Sequence, residues 1–159
     1  LRQELIIILK INNEYIIMFK QETPRTNSSS SSESSSELTC GIIGGLGPEA
    51  TLNFMYQILK KTSEIYGHQS DQNHIHTVVE MNPKVPDRNK SLNGTGEDCG
   101  PALNLMARNL VQAKVDFVVC ACNTAHAYSK SIEEGCGKTV PFVSMIDVTT
   151  KRVRENIEA

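Results

Sequence analysis

From Thr39 onward the chain alternates between two hydrophobic periods, and no other feature constrains its fold as tightly. Thr39 to Gly44 (TCGIIG) is a short apolar run ending in glycines, the pattern of a buried strand. Beyond Pro48, which suits a first helical position, Leu52, Met55, Leu59 and Tyr66 recur at helical spacing. His76 to Met81 (HTVVEM) predicts a second strand, and Asn82 to Gly100 a loop longer than a mere connection requires. Leu103, Met106, Ala107 and Leu110 mark a second helix opened by Pro101. DFVVCA, Asp116 to Ala121, predicts the third strand, and Asn123 to Glu134 a third helix closed by Gly135. PFVSMI, Pro141 to Ile146, predicts the fourth strand, after which Asp147 caps a last helix carrying Val153 and Ile157. This alternation predicts an α/β fold: a three-layer αβα lobe with a four-stranded parallel sheet. Such sheets bind ligands beyond the carboxyl ends of their strands. Those ends carry GGLGP, EMNPKVPDR and CNTAH, the glycine-rich and polar pieces a site needs.

The lobe is expected to span residues 39–159, with residues 1–38 an unassigned extension. TPRTNSSSSSESSSE, Thr23 to Glu37, has almost nothing to bury and reads as a disordered serine-rich linker. The first twenty residues have the apolar content of a strand pair but lack the cleavage site of a signal peptide. The opening Leu1, in place of Met, points to a processed or partial product. A formal net charge of −2 gives no electrostatic footprint for nucleic acid or anionic membrane, and no apolar run is long enough to span a bilayer. Five cysteines, an odd count at low density, suggest reduced thiols in a cytoplasmic setting.

Three groups of residues could carry chemistry. GLGPEA, Gly45 to Ala50, formally fits a dinucleotide fingerprint, with Glu80 ending the next strand. Glu80 lies about thirty residues beyond the turn, however, where the fingerprint expects about twenty, so the match is weak. Cys120 and Cys122 point to one face of their strand, and His126 or the His74/His76 pair could be imagined as co-ligands. Their spacing is not that of a structural zinc site, and metal binding is not expected. Cys122 stands apart from Cys120 because it lies at the strand end, just before a predicted helix N-terminus that would stabilise a thiolate. Position alone leaves a catalytic and a structural role for it about equally open. His126 is near enough to tune that thiol or orient a substrate, although no residue obviously orients His126. Arg88 offers a planar fork that matches a carboxylate, set against the plainer reading of a solvated arginine paired with Asp87. Pro83 and Pro86 would stiffen its loop.

Taken together these segments resemble aspartate racemases of the aspartate/glutamate/hydantoin racemase superfamily. GIIGGLGPEAT resembles the family's N-terminal loop, and DQNHIHTVVEMNPKVPDR the segment leading to its substrate-binding arginine. VDFVVCACNTAH is similar to the first catalytic-cysteine motif, and VPFVSMIDVT to the strand and helix that follow. The match is collinear from Thr39 to about Ile157. It implies cofactor-independent racemisation of an acidic amino acid, aspartate foremost, in which one thiolate removes the α-proton and a thiol on the opposite face returns one. Cys122 matches the first of these. Asn123, Thr124 and Ala125 would then contact the α-carboxylate region, and Arg88, flanked by Asp87 and Asn89, the side-chain carboxylate.

The resemblance also implies two similar lobes, with the second cysteine and a carboxylate-binding lysine supplied by the second. Cys99 and Cys136 match neither catalytic position, so the chain is expected to be a fragment carrying one of two catalytic cysteines. Two further readings stand beside it. A homodimer could supply Cys122 twice across a dyad, or a single lobe could bind acidic amino acids or a protein partner without catalysis.

Overall fold

The computed structural model describes the backbone of residues 5–10, 14–19, 38–66 and 70–157. The serine-rich linker expected over Thr23 to Glu37 lies outside these residues. Near the N-terminus Leu5–Lys10 (β1) and Glu14–Phe19 (β2) pair antiparallel, the strand pair suggested by composition. The remaining elements are Thr39–Gly44 (β3), Pro48–Tyr66 (α1), His76–Met81 (β4), Arg88–Leu92 (α2), Gly100–Gln112 (α3), Phe117–Cys120 (β5), Ser129–Cys136 (α4), Phe142–Val143 (β6) and Met145–Ile157 (α5). The last four strands form one parallel sheet in the order β4-β3-β5-β6.

Strand alternation divides the core in two. Cys40 and Ile42 of β3, with Phe117 and Val119 of β5, face Phe54 and Ile58 of α1 and Val148 of α5. Ile43, Val118 and Cys120 face the opposite way, onto Leu103, Met106, Ala107 and Leu110 of α3 and Ile132 and Cys136 of α4. The sheet is thus covered on both faces, the three-layer arrangement that its near-continuous apolar strands require. Each fully buried aliphatic or aromatic side chain contributes about 1.5–3 kcal/mol to that covering. Among the described residues no helix is long and apolar enough to cross a membrane.

Several local expectations are corrected. The buried face of α1 is Thr51, Phe54, Ile58 and Thr62, whereas Leu52 and Leu59 are exposed and Met55 is only half-buried. The threonines turn inward because their hydroxyls bond within the chain, Thr51 to the Gly47 carbonyl and Thr62 to the carbonyls of Ile58 and Leu59. The loop after β4 contains the short helix α2. The third helix is split into a 3₁₀ turn, Thr124–Tyr128, and α4, which ends at Gly137 with φ +70° rather than at Gly135. Gly135 lies inside α4, where a Cβ would stand 2.4 Å from the Asn104 carbonyl oxygen, so it permits close approach of α3. The fourth strand is only Phe142–Val143, and Ser144, not Asp147, caps α5 by accepting the Asp147 N–H at 3.3 Å. Ile157 is exposed.

Candidate active site

The carboxyl ends of β3, β4 and β5 lie side by side, and the loops leaving them converge. Gly44 accepts the Asn82 N–H at 3.2 Å, and the Ile43 carbonyl accepts the Ala121 N–H at 3.1 Å. Gly45, at φ +87°, brings the β3 loop so close to β4 that a Cβ would stand 2.6 Å from the Asn82 nitrogen. The buried Thr51 hydroxyl accepts the Gly45 N–H at 2.9 Å and donates to the Gly47 carbonyl at 3.1 Å, folding the loop onto α1. These contacts account for Gly45 without a dinucleotide, whereas a Cβ at Gly47 would meet nothing within 4 Å. Glu80, the candidate ribose acid, accepts from the Asn109 amide of α3 at 3.3 Å. His74 and His76 are directed apart, to the hydroxyls of Thr62 and Thr39.

On the second loop Asp87 caps α2, its carboxylate accepting the Lys90 N–H at 2.9 Å. That bond, above all, holds the Asp87 carboxyl below its ordinary range. Asp87 is therefore engaged as a cap and not as a salt-bridge partner of Arg88. The half-buried Arg88 donates from Nη2 to the Leu46 carbonyl at 3.1 Å and from Nη1 to the Pro86 carbonyl at 3.5 Å. Its guanidinium spans the first two loops. Asn89 is exposed on α2.

The third loop begins where β5 ends. Cys120 is fully buried, and desolvation pushes its thiol up to about 12. Cys122 packs against the same core but is only half-buried, whereas Cys40, Cys99, Cys120 and Cys136 are all buried. Asn123 is exposed, Thr124 half-buried, and the Ala125 side chain lies wholly in the core. The helix expected at Cys122 is the 3₁₀ turn, with α4 starting only at Ser129. His126, buried with its ring tilted 38° against Phe142 at 5.6 Å, bonds the Cys122 carbonyl through Nδ1 at 2.8 Å. Its Nε2 receives the Met145 N–H at 3.1 Å, which requires the proton to be on Nδ1.

Residues 43–158 match the family model described as Asp/Glu/Hydantoin racemase. The chain belongs to this racemase family. It is 26% identical over 113 residues to the broad specificity amino-acid racemase RacX of Bacillus subtilis (strain 168), a stretch covering 71% of this chain and 48% of that protein. The structure of Picrophilus torridus aspartate racemase superposes with a TM-score of 0.62 at 29% identity, over 75% of this chain and 48% of that one. An aspartate racemase homologue from Pyrococcus horikoshii OT3 shares the fold, with a TM-score of 0.59 at 23% identity over 74% of this chain and 49% of that one. The chain spans about half the length of these relatives.

Within this fold the residues singled out in sequence fall on two loops. Asp87, Arg88 and Asn89 open α2, while Cys122, Asn123, Thr124 and Ala125 form the turn after β5. Two residues that sequence reasoning missed join them: Tyr128, ending the 3₁₀ turn, donates its hydroxyl to Ser91 of α2. Ser91 also accepts the Cys99 N–H at 3.1 Å. No sequence signal could have paired residues 37 positions apart. His126 was noticed, but its orienting partner, a backbone N–H of α5, has no sequence signature.

Proposed function

We propose that this lobe carries one of the two proton-transferring thiols of a cofactor-independent amino-acid racemase, acting on an acidic amino acid and on aspartate foremost. The observation that carries the reading is the position of Cys122. Of five cysteines it is the one not buried, and it stands at the carboxyl edge of the sheet. A thiolate there removes the α-proton from one face of the amino acid, and a second acid on the opposite face returns a proton, so configuration inverts. The Asn123 amide and Thr124 hydroxyl are donors suited to the α-carboxylate, where negative charge builds up as the proton leaves. Arg88 supplies the charged fork for a side-chain carboxylate, with Asp87 and Asn89 beside it. Family membership supports racemisation, and the aspartate preference rests on Arg88.

Exchange of the α-proton tests the reading. Incubated with L-aspartate in D₂O, the protein should replace α-hydrogen by deuterium, followed by proton NMR, and Cys122→Ala should abolish the exchange. Exchange that survives Cys122→Ala would remove this cysteine from the mechanism. Aspartate binding without exchange would instead identify a non-catalytic binding module.

A further inference from the structure

Helix α2 has five residues, far short of the length at which a helix holds itself together in water. Something outside it must therefore set where Arg88 points. Arg88 and Ser91 are three positions apart and share one face of α2. Ser91 Oγ receives the Tyr128 hydroxyl and, at 3.1 Å, the N–H of Cys99, the buried residue that precedes α3. The Cys99 thiol in turn donates to the Pro86 carbonyl at 3.2 Å, the same oxygen that receives Arg88 Nη1. Tyr128 itself ends the 3₁₀ turn that follows Cys122 and packs against the core beneath it. One chain of hydrogen bonds thus runs from the turn carrying Cys122, through Tyr128 and Ser91, to the helix carrying Arg88.

We infer that Ser91 and Tyr128 are positioning residues that fix the Arg88 guanidinium relative to Cys122, and so determine how well the site selects a side-chain carboxylate. Neither needs to touch the amino acid. The inference rests on the reading of Arg88 as the carboxylate-binding residue, and the two are separable by experiment.

The test compares L-aspartate with L-asparagine, which has the same shape without the charge, by calorimetric titration of the protein. Tyr128→Phe keeps the ring and removes only the hydroxyl. It should weaken aspartate binding by roughly two- to fivefold, the upper end being the whole strength of the average hydrogen bond lost within the protein, while asparagine binding stays unchanged. Ser91→Ala should act in the same direction, and Ser91→Thr, which keeps a hydroxyl, should restore the preference. Equal weakening of both ligands would overturn the inference in favour of a general structural role, and an unchanged preference in Tyr128→Phe would overturn it outright. If the unsubstituted protein does not prefer aspartate, the reading of Arg88 falls first and the inference with it.

Discussion

Both ring nitrogens of His126 are engaged, one with the carbonyl of Cys122 and the other with the first backbone N–H of α5. The ring therefore ties the turn carrying Cys122 to a neighbouring helix, and proton transfer by it would break one of these bonds. His126→Ala leaves a carbonyl and an N–H without this partner and should destabilise the fold by about 1–3 kcal/mol in urea denaturation. Burial, the largest influence on the ring, lowers its pKa from the ordinary value of 6.5, against weaker opposing effects that include Asp147. A histidine held neutral in the folded state gains its proton more readily when unfolded. Its contribution to stability is therefore intact above pH 6.5 and declines as pH falls toward the lowered folded-state pKa. The urea midpoint should fall across that interval, and His126→Gln should flatten this part of the profile. The cysteines give a second residue-level prediction. Burial pushes Cys40 and Cys120 up to about 12 and Cys136 up to about 11, so none of these should be reactive in the native protein. One equivalent of a maleimide should label the folded chain well before the rest, and Cys122→Ser should remove that fast phase.

Two glycines, one within α4 and one capping its end, separate two ways in which an element can depend on glycine. Gly135→Ala drives a methyl to 2.4 Å from the Asn104 carbonyl oxygen and 2.8 Å from the Ala107 methyl, so α3 and α4 must move apart. Gly137→Ala meets no neighbour within 4 Å, but it forces alanine to a φ of +70° and a ψ of −158°. Each should cost about 1–3 kcal/mol by thermal denaturation, the first through packing and the second through backbone strain. The pair also shows what an element reveals in sequence and what it hides. Glycine commonly ends helices, so Gly135 reads as a helix stop in sequence, and only the proximity of α3 explains its place inside one. The buried face of α1 was misread for a related reason. Helical spacing of apolar residues points to Leu52 and Leu59, whereas the core accepts Thr51 and Thr62, whose hydroxyls are satisfied locally. By contrast β3 and β4 were legible to the residue, because an apolar β-branched run bounded by glycine or by turn residues has few other uses.

At the scale of the whole molecule, the two cores share the strands β3 and β5 and should fail together. Leu103→Ala on one face and Phe117→Ala on the other should each cost about 2–5 kcal/mol and leave a single unfolding transition, measured by circular dichroism and near-ultraviolet absorbance in parallel. The architecture was readable from alternation alone, since a parallel sheet needs a helical crossover after each strand. The convergence of loops at its carboxyl edge was readable too, but not the Ser91–Tyr128 tie or the His126–Met145 bond, which depend on distances that no local pattern encodes. The strand order has one further consequence, for the timing of synthesis. Of the four strands of the parallel sheet, the inner strand β3 is made first, yet its β5 partner is clamped to it through Thr39 and Asp116, whose mutual bonds of 2.7 and 2.9 Å join residues 77 positions apart. At about 5–20 residues per second a ribosome takes roughly 4–15 s to cover that separation. Through that interval the nascent β3 has at least one hydrogen-bonding edge without its native neighbour, so what is the middle of the finished sheet is, during translation, an open border.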